Sequence, residues 1–156
     1  MTTFDFDDTK SGDWESWLRH FAEALRAWHL TNAPAGLYIP AAEMVTEGVL
    51  SGLEQVLDLL AHAGFDHDTS VRALQFVLGV VWGNTHDQLL AEAQPDGAHP
   101  QQTQMLSQEA DLGSYPRMQR AVERNSIYGA FDARFGFELD GVIRALRSAL
   151  QNGEDR

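Results

Sequence analysis

Glu43, Glu47, Glu54 and Asp58 fall along one face of a helix, and four carboxylates arranged in this way could collect a hard cation. The same spacing also describes a solvated helix face, the usual fate of a charge run, and that is the reading preferred for this strip. Six histidines, His20, His29, His62, His67, His86 and His99, show no tight metal-ligand spacing among themselves, so no metal site is expected. Most of them belong at the surface or at helix ends. His62 sits in the last turn of its helix, where a donor relieves the free carbonyls. His86 is different because it shares a helical face with Gln75, Gly79 and Trp82. A polar group, a small residue and an aromatic on one face make a pocket wall, whereas the neighbouring Asn84, Thr85 and Asp87 make an exposed helix end, and both readings stand. Gln55 shares its face with Gly48, Gly52, Leu59 and His62, where the glycines either admit a close helix or leave room for a ligand. Trp17, Phe21, Tyr38, Met44 and Trp82 come from separate segments that a helical bundle would gather. With Gln55 and His86 they are the expected ligand-binding lining, although any one of the aromatics alone serves equally as core.

The familiar enzyme signatures are missing from the sequence. Neither GxGxxG nor a P-loop follows a strand pattern, and there is no HExxH, no paired Glu-x-x-His and no G-x-S-x-G elbow. No catalytic residue and no cofactor is therefore expected. An enzyme using His86 with Asp87 would lack a formed motif, and it is the weakest of the functional readings. Eleven Lys and Arg stand against 23 Asp and Glu, a net charge of −12, so the surface repels phosphate and gains little from counterion release. Direct nucleic-acid binding is disfavoured. The absence of cysteine removes disulfides and thiolate chemistry and is compatible with a reducing compartment. No apolar run reaches the length of a membrane span, and the acidic start lacks the hydrophobic block of a signal peptide, so a cytoplasmic protein is expected.

The elements that must position these residues are helices. At 156 residues, 44% of them hydrophobic, the chain suits one domain with a real core. Residues 1–12 carry three Asp and end in Ser-Gly, and they read as an acidic, disordered tail before a domain spanning 13–152. Asp13 can cap a first helix with Trp14, Trp17, Leu18, Phe21, Leu25 and Trp28 at helical spacing, ending near Thr31 and Asn32. Two prolines and a glycine make 33–40 a turn or apolar loop. A second helix is expected from about Ala41 to His62, closed by Gly64 in the left-handed conformation. Asp66 caps a long third helix, apolar on every side of its middle and so buried by neighbours on more than one side. Residues 95–115 read as loop or weak helix, followed by a short helix from Pro116 to about Asn125. A final helix runs from about Ala130 to Gln151, with Phe131, Phe135, Leu139, Val142, Ile143, Leu146 and Leu150 as its stripe, and Asp140 and Arg144 as an outer i,i+4 pair. No hairpin signal or fixed-period repeat interrupts the pattern, which predicts an all-α, antiparallel helical bundle of five to six helices.

With the helices placed, three passages carry a resemblance. DWESWLRHFAEALRAWHL, LEQVLDLLAHAGFDHDTSVRALQFVLGVVWGNTHDQ and RFGFELDGVIRALRSAL are similar, in order, length and the "AGF" turn before a long apolar helix, to the C-terminal ligand-binding and dimerisation domain of the tetracycline-repressor (TetR) family of transcriptional regulators. The resemblance implies a homodimer whose long central and final helices form the interface, through Leu74, Leu78, Val81, Phe135, Leu139, Val142, Ile143 and Leu146. It also implies a pocket for a small apolar or aromatic effector, and a repressor whose DNA contact runs through an N-terminal helix-turn-helix. No such segment precedes Asp13 in this sequence, so a truncated or fragmentary regulator is expected. The alternative is a stand-alone helical module for small-molecule binding or dimerisation.

Overall fold

Asp13 starts the first helix as expected, its carboxylate Oδ1 accepting the amide of Ser16 at 2.8 Å. A computed structural model describes residues 13–32, 47–93, 112–124 and 130–154. Five α-helices occupy those residues: α1, Trp14–Asn32; α2, Glu47–His62; α3, His67–Glu92; α4, Pro116–Glu123; and α5, Phe131–Glu154. A 3-10 turn, Leu112–Ser114, leads into α4, and there is no strand among the described residues. The fold is the all-α bundle that the apolar periodicity predicts.

Local chemistry sets the helix ends. Thr31 Oγ1 and Asn32 Nδ2 donate to the carbonyls of Ala27 and Trp28, both at 2.8 Å, and satisfy acceptors that the last turn of α1 would leave open. Gly64 lies at φ 97°, and the amide of Phe65 reaches back to the carbonyl of Leu60 at 3.1 Å, the reversal that ends α2 and that a side chain at Gly64 would oppose. Phe65 is thereby buried, its ring 5.2 Å from that of Trp14, which ties the turn to the start of α1. Asp66 then caps α3 by accepting the amide of Thr69 at 2.9 Å. Residues 41–46, the expected first turn of the second helix, lie outside the described residues, as do 1–12 and most of 95–115.

Helix α3 is the hub, packed against α1, α2 and α5. Its inner face, Ala73, Leu74, Val77 and Val81, meets Leu18, Phe21 and Leu25 of α1, Val56 and Leu60 of α2, and Phe135, Leu139, Ile143 and Leu146 of α5 in one cluster. More than one neighbour covers α3, as its composition predicts, yet one face of the helix stays open. Phe76 is 66% exposed and Trp82 43%, because the three neighbours all lie on one side of the helix.

A single arginine ties three helices together. Arg26 of α1 donates from Nε to Asn84 Oδ1 at 2.8 Å and from Nη2 to Gln88 Oε1 at 2.6 Å on α3, pairs with Asp132 of α5 at 2.8 Å, and lies over the Phe135 ring at 4.9 Å. Asn84, fully buried, passes the connection on by donating to the carbonyl of Phe131 at 2.9 Å. The outer Asp140–Arg144 pair is corrected: Asp140 turns to Arg19 of α1 at 2.6 Å. An exposed i,i+4 pair is worth only a few tenths of a kcal/mol, so an inter-helix partner within reach replaces it easily. Arg26→Met is expected to lower stability by roughly 2–3 kcal/mol in urea unfolding, because it leaves Asn84 buried without its donor. Arg19→Met, at a more exposed bridge, is expected to cost less than about 1 kcal/mol.

Candidate functional site

Two places in the fold have chemistry that the packing does not use. The first lies on α1 and α2. His29 Nδ1 and Gln55 Oε1 are buried without a hydrogen-bond partner, although an unpaired buried polar atom normally costs on the order of 1–3 kcal/mol. Burial, with a smaller contribution from the charge of the neighbouring His86, holds the His29 imidazole below its ordinary value of 6.5 and keeps the ring neutral. His29 Nδ1 and Gln55 Oε1 are each an unused polar atom on one of two packed helices, and either can receive a polar group of an otherwise apolar guest.

The second place is the outer face of α3 beside α5, where a groove of about 650 Å³ is lined by Phe76, Gly79, Val80, Gly83 and the ion-pair group around Arg134. Arg134 donates to Asp87 Oδ2 at 2.8 Å, stands 3.6 Å from Glu138, and lies 5.5 Å over the Phe131 ring. On α5 the same side presents Phe137, 72% exposed. A Cβ added at Gly79, Gly83 or Gly141 would meet nothing within 4 Å. Glycine inside a helix costs about 1 kcal/mol relative to alanine, so these positions carry a penalty that nothing in the protomer requires.

The residues expected in the ligand lining divide among several environments. Trp17 and Phe21 are buried in the core, their rings stacked at 5.9 Å. Gln55 is half-buried with its oxygen unpaired, whereas Trp82 and His86 lie on the exposed side of α3. Tyr38 and Met44 lie outside the described residues. Of the residues expected at a dimer interface, Leu74, Val81, Phe135, Leu139, Ile143 and Leu146 are buried in the protomer itself, and Leu78 and Val142 pack against that core. An interface formed by these two helices would use the residues that the protomer leaves exposed, Leu78 and Val142 being only partly buried. His29 escaped the sequence reading because nothing in its neighbours distinguishes it from an exposed helix-end histidine. Arg26 and Asn84 escaped because they are 58 residues apart in the chain.

On α2, Glu47, Glu54 and Asp58 are exposed, in keeping with a solvated face. His62 Nδ1 lies 2.7 Å from the carbonyl of Asp58, the helix-end role its position suggests. Among the described residues no three His, Cys, Asp or Glu side chains are grouped to hold a metal ion, and no helix is long and apolar enough to cross a membrane.

Residues 6–150 match the family described as the tetracyclin repressor-like C-terminal domain. The fold is similar to the crystal structure of a possible TetR family transcriptional regulator from Streptomyces coelicolor A3(2), at 26% sequence identity, with 89% of this chain and 67% of that chain covered and a TM-score of 0.70. No curated protein matches the chain.

The histidine makes a pH prediction. Because the folded pKa of His29 is lowered, the unfolded chain takes up the proton first, and stability falls as pH drops below 6.5. The carboxylates of Asp13, Glu15 and Asp66 are held below their ordinary values by a backbone amide of Ser16, the Arg147 side chain and the Thr69 amide respectively, so their contributions are lost only at lower pH, below 3.8 to 4.5. Urea unfolding of His29→Gln is expected to lose the decline that begins as pH falls below 6.5 and to keep the acid limb.

Proposed function

The chain belongs to the tetracyclin repressor-like C-terminal domain family, and from that premise we propose that it is the sensing and pairing domain of a transcriptional repressor, taking up a small apolar or aromatic effector. It is a TetR-like regulator, from a family of transcription regulators and not of enzymes. The working unit in this proposal is residues 13–152, acting as a homodimer in the cytoplasm. Effector binding alters helix packing, and through it the hold on an operator of any DNA-reading segment joined to the domain. Such coupling requires the effector to bind two arrangements of the domain with different affinity.

The observation that carries the pairing is the outer face of α3 and α5. Phe76, Trp82 and Phe137 are exposed there beside Gly79, Gly83 and Gly141, whose open surroundings are the space a second helix pair would fill. The helices are those the sequence pointed to, but the proposed contact runs through these outward residues. His86 joins that face.

His29 and Gln55 are the proposed polar contacts to the effector, with Phe21, Tyr38 and Met44 proposed for its apolar wall; Trp17, about three turns before His29 on α1 and buried against Phe21, belongs to the core. A neutral imidazole and an amide oxygen favour an uncharged guest carrying a hydroxyl or N–H group. Arg26 stands one turn before His29 on α1 and holds Asn84 and Gln88 of α3, so a guest at His29 has a short rigid route to the pairing helix.

Native mass spectrometry is expected to give a particle of twice the 17.3 kDa chain mass, and Gly83→Leu is expected to give a monomer of unchanged helical content. A monomeric wild type at high micromolar concentration contradicts the pairing. In a thermal-shift screen of aromatic compounds, hits are expected to lose about tenfold in affinity on Gln55→Leu, the equivalent of one buried hydrogen bond. Hits indifferent to both Gln55→Leu and His29→Phe overturn the assignment of the site.

A further inference from the structure

Phe137 is the most exposed large hydrophobic side chain among the described residues, and helical spacing fixes where it stands on α5. At about 100° per residue it points roughly 160–180° away from Leu139 and Leu146, which are buried in the core, and about 60° round the helix from Arg134. Arg134 and Glu138 turn towards α3 and line the groove with Gly79 and Gly83. The Phe137 ring therefore stands on the outer side of α5, next to the groove. As the neighbour of Glu138 in the chain, it is also level with the groove along the helix. It does not enter the groove of its own chain, because it stays exposed beyond the wall that Arg134 and Glu138 make.

The groove has the shape and chemistry to take an aromatic side chain. Gly79 and Gly83, about one helical turn apart, leave a flat dent in α3, where an added Cβ would meet nothing within 4 Å. Phe76 and Val80 give it an apolar rim. On the α5 side Arg134 is held by Asp87 at 2.8 Å, has its Nε buried without a hydrogen bond, and lies over the Phe131 ring. A guanidinium fixed in this way can take a second ring on its other face.

A knob and a matching hole thus lie side by side on one face, at one height. Such a surface is complementary to itself through a two-fold axis that runs along the helices, since that rotation exchanges the α3 and α5 sides of the face and keeps the height. An axis across the helices at this height would instead bring like helices together, dent over dent and ring against ring. We propose that Phe137 of each copy seats in the groove of the other, between Gly79 and Gly83 of α3 and Arg134 of α5. The proposal rests on the pairing of α3 and α5 described above and fixes how the two copies face each other. A different protein or a small guest could occupy the groove, but neither accounts for an exposed ring set level with it on the same chain. Aromatic side chains buried in a partner's pocket carry much of the affinity of an interface, so Phe137 is its specificity-determining contact.

Native mass spectrometry over a dilution series reads the dimer in four chains: wild type, Phe137→Ala, Gly83→Leu and Gly83→Leu/Phe137→Ala. Removing the ring is expected to raise the dissociation constant roughly thirtyfold or more. Filling the dent is expected to abolish the dimer, and the double variant to regain it, because leucine takes the space that the ring vacates. Both positions are open in the protomer, and circular dichroism checks that the helices persist. The chain has no cysteine, so Gly83→Cys and Phe137→Cys chains with different tags can be mixed and mildly oxidised, and a disulfide joining one of each is expected. A wild type that stays monomeric at high micromolar concentration overturns the pairing and the seated ring together. A wild-type dimer that Phe137→Ala leaves unchanged, a double variant no tighter than Gly83→Leu, or Gly83→Cys chains that link only to one another overturns the seated ring and leaves the pairing standing.

Discussion

Three neighbours packed on one side of a helix leave its other side to water, and α3 is apolar in composition over much of its middle on both sides. Its inner face is satisfied by α1, α2 and α5, which together bury Val77 and Val81 completely. Its outer face keeps Phe76 and Trp82 in solvent, where exposed apolar area on the order of 25 cal/mol per Å² goes unrecovered. The proposed function depends on this asymmetry. Phe76, Gly79 and Gly83 line the groove beside α5 on this uncovered side, and on α5 Phe137 is exposed as well.

Polar interactions distribute the remaining constraints. Arg26 joins α1, α3 and α5 at one level, and Arg147 forks onto Glu15 to hold the far end of α5 against the start of α1. The two ties act differently. The Arg147–Glu15 pair is largely solvated and worth little, whereas the Arg26 side chain is only 13% exposed and its loss strands a buried amide. Register between α1 and α3 is therefore fixed near Asn84, close to where His29 holds an unpaired nitrogen. A ligand that engages His29 acts beside the most tightly connected junction of the described residues, not at a loose end.

Local signals were the legible part of the sequence. Asp13, Gly64 and Asp66 place three helix boundaries by capping chemistry that needs only a few neighbouring residues, and the stripe from Phe131 to Leu150 identifies α5 and its inner face. What periodicity could not supply was the number of sides from which a helix is covered. For α3, apolar residues on every side read as burial by neighbours on more than one side, while the structure packs three helices against it and still leaves an open side. Leu74, Val81 and Phe135, which the family resemblance pointed to as interface residues, lie in the core of the protomer. The exposure of Phe76 and Phe137, on which the pairing proposal rests, could not be read beforehand, since an exposed phenylalanine and a buried one look alike in sequence. Inter-helix pairs were equally invisible: Asp140 has a candidate partner one helical turn away in the chain and takes Arg19, 121 residues away.

The central claim is that a second copy closes the outer face of α3, and a distance across that face measures it most directly. A nitroxide on Gln75→Cys, in a chain with no other cysteine, reports on the middle of the face without touching the core. Helices packed together stand about 8–10 Å apart, so pulsed dipolar spectroscopy should give an inter-copy distance of roughly 20–30 Å, abolished by Gly83→Leu. A signal with no inter-copy coupling, or a distance well beyond that range that Gly83→Leu leaves unchanged, would contradict the account.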